Sequence, residues 1–324
     1  MTSPRDLTHD ISPNEPRLSR PALYALLILV TLILGLNWPV MATGVESISP
    51  LWMGVFRVVG ALIVIVAITA STGNLKMPGR SDLPIISSLA VFRLAAVFTL
   101  VFTGLQLVPP GRSSVIVWTA SLWTVPLAAA FLGEKMIGKR WLGLLLGITG
   151  VVVLFEPWRL SWSDPGVILG HVFLILAAVT NAATSVHIRG HRWTMTPLQA
   201  VPWQLTGAAI ILLALALVTE GIPDVDWTVQ LGWIVAYQGL LATGTAFWAQ
   251  IVILRNLAAV STNLTLMAVP VVGVVSSALL VGEDVTVTLV SGLVLIIVGV
   301  TLNLLAGETI GMSAIAATEP ESQS

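Results

Sequence analysis

Gly133 to Val151 reads GEKMIGKRWLGLLLGITGV, and Gly282 to Val300 reads GEDVTVTLVSGLVLIIVGV. At a constant offset of 149, eight of the nineteen positions are identical: Gly133, Glu134, Gly143, Leu144, Leu146, Ile148, Gly150 and Val151 meet Gly282, Glu283, Gly292, Leu293, Leu295, Ile297, Gly299 and Val300. Each copy is a Gly-Glu turn that opens an apolar helix with glycines seven apart on one face, where a neighbouring helix can pack closely. Two such copies, each closing a block of similar hydropathy, mark a duplicated membrane unit. The duplication extends outward. Pro50 to Ala61, PLWMGVFRVVGA, lies over Pro197 to Ala208, PLQAVPWQLTGA, at an offset of 147, so that Arg57 meets Gln204 and Gly60 meets Gly207.

The chain has 324 residues, of which 56% are hydrophobic and 10% charged, with a mean hydropathy of +0.94. That is far outside the soluble globular range. Ten spans of about 20 residues fit with short loops. They are expected near 22–43, 50–71, 84–107, 111–132, 138–156, 166–187, 197–219, 230–253, 261–281 and 286–306. The predicted fold is therefore an all-α integral membrane protein, with ten transmembrane helices in two inverted five-helix repeats, 22–156 and 166–306. Residues 1–21, polar and proline-rich, are expected as a disordered cytoplasmic tail, and 307–324 as a second cytoplasmic tail. The apolar run 22–43 is too long for a signal-peptide core and is read as an uncleaved first span.

Lysine and arginine set the orientation, because positive loops stay in the cytoplasm. Eleven of the fifteen (Arg5, Arg17, Arg20, Lys76, Arg80, Lys135, Lys139, Arg140, Arg189, Arg192 and Arg255) fall on one side, and only Arg112 and Arg159 on the other. Both termini are then cytoplasmic. The first Gly-Glu turn carries Lys135, Lys139 and Arg140, whereas the second carries Asp284 and no Lys or Arg before its helix. Matching turns on opposite faces are what an inverted repeat requires.

Soluble-enzyme chemistry finds no support. GEKMIGKR at Gly133 nearly spells a phosphate-binding loop, but Arg140 stands where the Mg²⁺-binding hydroxyl belongs and no strand precedes it. There is no HExxH or GxSxG, and His9, His171, His187 and His191 form no ligand cluster. No metal and no cofactor is expected. A net charge of −1 gives no case for nucleic acid, and zero cysteines exclude disulfides, thiolate metal sites and cysteine nucleophiles.

Polar residues inside spans carry the functional signal, since each costs free energy in hydrocarbon unless it faces protein or water. Arg57 lies about 10 Å below the outer edge of span two, and Arg93 near mid-depth in span three. A central arginine costs roughly 2.5–3.5 kcal/mol on insertion scales. No Asp or Glu lies mid-span to pair with either. One reading has them attract an anionic group such as a substrate carboxylate; the other has them bond helix-end carbonyls or snorkel. Trp118 and Ser121 in span four, and Asn263 and Met267 in the corresponding span nine, would line an amphipathic cavity, against the bland reading of helix packing and i−4 back-bonding. Asn37, Asn181, Gln204, Gln238 and Gln250 each need several partners, from a ligand or as interhelical glue. Glu134 and Glu283 open spans five and ten, where a carboxylate suits a helix N-terminus; gating or proton relay is the alternative. Trp141, Trp158, Trp162, Trp193, Trp227 and Trp233 fall near span ends as interface-belt residues, while Trp118 and Trp123 lie deeper.

The chain resembles the drug/metabolite transporter superfamily, in particular its EamA-type members with ten spans. The resemblance runs over nearly all of 22–306. It rests on Gly35-Leu36-Asn37-Trp38-Pro39, on Pro50 and Phe56-Arg57, and on the two Gly-Glu turns with their glycine-patterned helices. It implies a substrate-exporting secondary carrier of the plasma (inner) membrane, with a central cavity between the halves and spans five and ten at the periphery. Many relatives carry a lysine near Ala42 or Thr43, which this chain lacks. The expected partners are a small-molecule substrate and the lipid bilayer. The substrate expectation is a metabolite such as an amino acid or a related amphipathic compound. Proton coupling, if present, must run through a boundary acid or a histidine. The rival class is a non-transporting assembly factor or a membrane enzyme.

Overall fold

The computed structural model describes residues 19–134, 138–155, 165–191, 193–223, 225, 227–257, 262 and 265–316, the side chains of 155, 254, 255 and 306–316 excepted. The described residues are all-helical, with no strand. Seven helices are long and apolar enough to cross a membrane. They are α1 (Arg20–Ser47), α2 (Pro50–Ser71), α3 (Leu83–Leu105), α4 (Pro110–Leu132), α6 (Pro165–Gly190), α7 (Pro197–Thr219) and the Val287–Leu305 part of α10 (Val287–Ala316). Between them lie α5 (Gly138–Phe155), α8 (229–256) and the shorter apolar α9 (Ala268–Val281). Large apolar side chains point outward in numbers that water would not tolerate, among them Phe131, Val218 and Leu279, each at least three-quarters exposed. They suit hydrocarbon.

Local chemistry sets the helix ends. Pro50, Pro110 and Pro197 occupy first-turn positions, where a missing N–H leaves nothing unsatisfied. Thr196 and Gln199 close a capping box at the start of α7. Helices α4 and α9 both stop on a glycine in the left-handed region, Gly133 (φ 68°) and Gly282 (φ 69°). The N–H groups of the following glutamates then turn back to Ala128 O (3.4 Å) and Ser277 O (3.3 Å).

Two irregularities recur at matching places. The π-helical stretch Leu89–Ala96 in α3 has its counterpart in Tyr237–Thr245 of α8. Helix α4 breaks at Thr119 (ψ −7°), and α9 starts after a similar step at Met267 (ψ −13°). The sequence reading placed unbroken spans at both sites. Within α1, Pro39 cannot donate to the Gly35 carbonyl, which instead accepts Ser276 Oγ at 3.5 Å from α9.

The duplicated stretches pack on each other. A Cβ on Gly143 would lie 2.6 Å from Gly299 O, and one on Gly150 2.8 Å from Gly292 O. This pairing makes α5 and α10 antiparallel, with backbones touching. Likewise a Cβ on Gly60 of α2 would lie 2.9 Å from Gly239 Cα of α8, while one on Gly207 of α7 would lie 2.9 Å from Ala90 Cβ of α3. Gly207 is the repeat counterpart of Gly60, so each half lends its second helix to the other half's π-helical stretch.

The main apolar core lies among α1, α2, α3 and α7, around the fully buried Met53, Ile65, Phe102, Leu205 and Leu212. A second gathers Leu122, Leu154 and Leu174 between α4, α5, α6 and α10, and a third joins α1, α8 and α9 through Leu27, Ile253 and Val269. Trp118 and Trp248 pack against both the first and the third.

Candidate functional site

A cavity of about 800 Å³ opens where α1, α3 and α9 end and α4 and α10 begin. Ala42, Val45, Glu46, Gln106, Arg112, Glu283 and Asp284 are among its lining residues. Glu283 is anchored at its rim. Its carboxylate accepts Gly111 N–H at 2.6 Å and Arg112 N–H at 3.1 Å, two of the orphan donors that open α4. Burial pushes the Glu283 carboxyl above its ordinary value, and the two backbone bonds and the Arg112 charge only partly offset it. The helix that Glu283 caps is therefore α4, not the α10 it precedes, because the turn at Gly282 sends the side chain back across the mouth. Glu134 also departs from a simple cap: it is bonded to Arg140 (2.9 Å) and to Arg189 at the end of α6.

Two turns into α2 lies Arg57, 7% exposed. Its Nε donates to Thr243 Oγ1 (2.7 Å), and Nη1 to Gln238 Oε1 (2.7 Å) and Met41 Sδ (2.9 Å). The guanidinium lies 4.8 Å from the centroid of the Phe98 ring. Arg57 thus ties α2 to the π-helical stretch of α8 and to α1 and α3. Sequence spacing gave no hint of this node, since Gln238 and Thr243 stand 181 and 186 residues away.

The other expected residues fall in three places. Arg93 is half-buried in the π-helical stretch of α3, and its Nη1 donates to Ser185 Oγ at 3.2 Å. Ser185 in turn donates to the backbone carbonyl of Asn181 at 2.8 Å, one helical turn back, so the Asn181 side chain takes no part in this chain. Trp118 and Ser121 flank the α4 break, where Ser121 Oγ takes up Trp118 O (3.0 Å). Met267, at the α9 step, accepts Thr301 Oγ1 at 3.7 Å. Asn37 and Trp38 are buried, with the Trp38 ring against Gly273 of α9, and Asn37 Oδ1 has no protein partner. None of these residues lines the cavity above. Asn263 lies outside the described residues, as do the belt candidates Trp158 and Trp162. Trp141, Trp227 and Trp233 are more than half exposed.

Two more boundary acids join the halves. Asp82, with no exposed surface, accepts Thr194 N–H (3.2 Å), the Thr194 hydroxyl and His191 Nε2 (3.4 Å). Burial alone would raise its carboxyl; the Thr194 and His191 bonds outweigh that and hold it below the ordinary range. Glu220 accepts Ser49 Oγ (2.6 Å), Leu51 N–H (3.1 Å) and Trp52 N–H (3.3 Å) at the start of α2. No group of three or more His, Asp or Glu suited to a metal occurs among the described residues.

Comparison with known proteins agrees with this architecture. A solved crystal structure shares the fold with a TM-score of 0.62 at 18% identity, covering 90% of this chain and 99% of that one. The uncharacterized transporter YoaV of Bacillus subtilis (strain 168) is 28% identical over 280 residues, 86% of this chain and 94% of its own length. A probable amino-acid metabolite efflux pump of Escherichia coli (strain K12) is 27% identical over 293 residues, 86% of this chain and 93% of its own. The uncharacterized inner membrane transporter YedA of the same strain is 25% identical over 267 residues, 81% of this chain and 83% of its own. The model of the EamA-like transporter family matches twice, at residues 22–156 and 168–305. The chain belongs to the EamA-like transporter family and is a multi-pass membrane protein of the transporter type, consistent with the drug/metabolite transporter superfamily.

Proposed function

We propose that the chain is a secondary transporter that exports small metabolites, amino acids or related amphipathic compounds, by alternating access between two inverted five-helix repeats. On this reading ten helices span the plasma membrane, both termini are cytoplasmic, and the chain catalyses no covalent chemistry. The observation that carries it is reciprocity. Gly143 meets Gly299 while its counterpart Gly292 meets Gly150, and α2 meets α8 as α7 meets α3. Swapped contacts of this kind support a two-fold relation between the halves, and the antiparallel partners support an axis in the membrane plane. The substrate class is supported by the printed name of the Escherichia coli relative. Trp118, Met267, Asn37, Trp38, Arg93 and Asn181, with Ser121 and Asn263, are the residues proposed to meet substrate once the halves part.

Proteoliposomes loaded with a mixture of the twenty amino acids are expected to lose at least one of them faster than protein-free vesicles. Identical efflux for all twenty would remove the amino-acid reading. Single cysteines replacing Lys139 and Asp284 are expected to label from opposite sides of the membrane; labelling from the same side would break the inverted repeat.

A further inference from the structure

Two helices connect the cavity to the buried Arg57. Ala42 of α1 and Leu105 of α3 line it, and one residue deeper on α1 and one turn deeper on α3 come Met41 and Phe102. Both touch the Arg57 guanidinium, Met41 through its sulfur and Phe102 with its ring centroid 5.9 Å away. Arg57 thus contacts a flexible thioether and a ring that belong to close neighbours of the cavity lining on α1 and α3.

Every ligand that Arg57 has there is neutral. Thr243, Gln238 and Met41 orient the cation without balancing its charge, and among the described residues no carboxylate lies within ion-pair distance. A buried ion compensated only by dipoles is an expensive arrangement. Gln238 is itself fully buried. Because a guanidinium can only donate, the amide must turn Oε1 towards it, which leaves Nε2 as a buried donor with no partner. A cation without an anion and a donor without an acceptor thus sit on one contact. A strut between α2 and α8 would explain the first bond and leave the second group orphaned. Gly60, one turn from Arg57, touches Gly239, the residue after Gln238, so the backbones hold this spacing rigidly.

We propose that Arg57 and Gln238 Nε2 form a binding site for a small monoanion entering from the cavity past Met41, either the carboxylate end of the carried solute or an inorganic halide. The carboxylate choice rests on the transport reading above; the site itself does not. Arg57 supplies charge, Gln238 supplies a directed N–H, and the Phe98 and Phe102 faces keep water out.

The test needs no transport. The full chain in detergent is melted in sodium gluconate, formate and chloride at fixed ionic strength. Formate is expected to raise Tm over gluconate in a saturable way, by roughly 2–5 °C. A response to chloride alone assigns the site to a halide, and a response to neither overturns the proposal. Gln238→Glu places a carboxylate beside Arg57; its Tm in gluconate is expected to rise, and its response to formate and chloride to vanish. An undiminished response in this variant would show that the anion binds elsewhere and overturn the assignment. If it does not fold, Gln238→Leu is expected to weaken the formate midpoint roughly tenfold, the worth of one charge-assisted hydrogen bond. An anion response in a protein that exports nothing would leave the site intact and count against transport alone.

Discussion

The two ends of the bundle hold the halves together by different means. Where α3 begins and α6 ends, acids of the first half meet mainly side chains of the second: Asp82 takes the Thr194 hydroxyl and His191, with one backbone N–H from Thr194, and Glu134 takes Arg189. Where α2 and α4 begin, acids of the second half take mainly backbone N–H groups of the first: Glu220 at Leu51 and Trp52, with the Ser49 hydroxyl, and Glu283 at Gly111 and Arg112. The penultimate residue of α6 is Arg189, paired with Glu134. The penultimate residue of α1 is Glu46, which lines the cavity together with Glu283, the counterpart of Glu134. One end thus joins opposite charges across the gap, and at the other Glu46, Glu283 and Asp284 share an open mouth with Arg112. The side chain at the end of the leading helix of each half differs in sign between the two ends, Arg189 at one and Glu46 at the other.

That contrast can be broken most severely at Asp82. Asp82→Ala strands the Thr194 N–H and hydroxyl in a fully buried place and is expected to cost about 2–4 kcal/mol of stability, read from thermal melts in detergent. Glu283→Gln keeps one acceptor of two and loses the charge, so about 1 kcal/mol is expected. The two acids also give pH dependences of opposite sign. Asp82 is held below its ordinary 3.8, so its contribution is present above that value and lost as pH falls through the lower value of the folded state. Glu283 is raised above its ordinary 4.5, so the folded state is favoured below that value, and this advantage is lost as pH rises through the higher folded value. Melts across this range are expected to lose their alkaline limb in Glu283→Gln and their acid limb in Asp82→Ala.

The mouth offers a smaller and sharper test. Glu46→Arg recreates the charge that Arg189 holds at the other end and is expected to slow maleimide labelling of a cysteine placed at Gln106 about two- to fivefold, as an added pair of up to about 1 kcal/mol would. Unchanged labelling would mean that charge does not set the width of the mouth. Smallest of all, Arg189→Gln breaks a pair whose Arg189 side chain is 50% exposed and leaves Glu134 its bond to Arg140. It is expected to shift stability by no more than about 0.5 kcal/mol.

How much of this was legible in the chain depended on the range of the interaction. Hydropathy located the helices, because burial in lipid acts on whole stretches, and Pro50, Pro110 and Pro197 located their starts. The glycines of the duplicated stretch announced a close helix contact, though not that the partner would be the other copy. The π-helical stretches escaped notice, since one extra residue per turn leaves an apolar run apolar. The break at Thr119 has no glycine or proline to signal it. Arg57 and Arg93 stood out as costly residues, yet their partners on α8 and α6 could be found only in three dimensions. Glu46, Asp82 and Glu220 were passed over because an acid at a span boundary looks solvated until its neighbours are known.

The seam between α5 and α10 carries a mechanical consequence. Where Gly143 and Gly150 lie on Gly299 and Gly292, main chain rests on main chain and no side chain is available to yield. Such a joint resists sliding and twisting alike, so these two helices travel as a single rigid beam. The fulcrum of any rocking between the halves must then lie away from the beam, at contacts lined by longer side chains that can change rotamer.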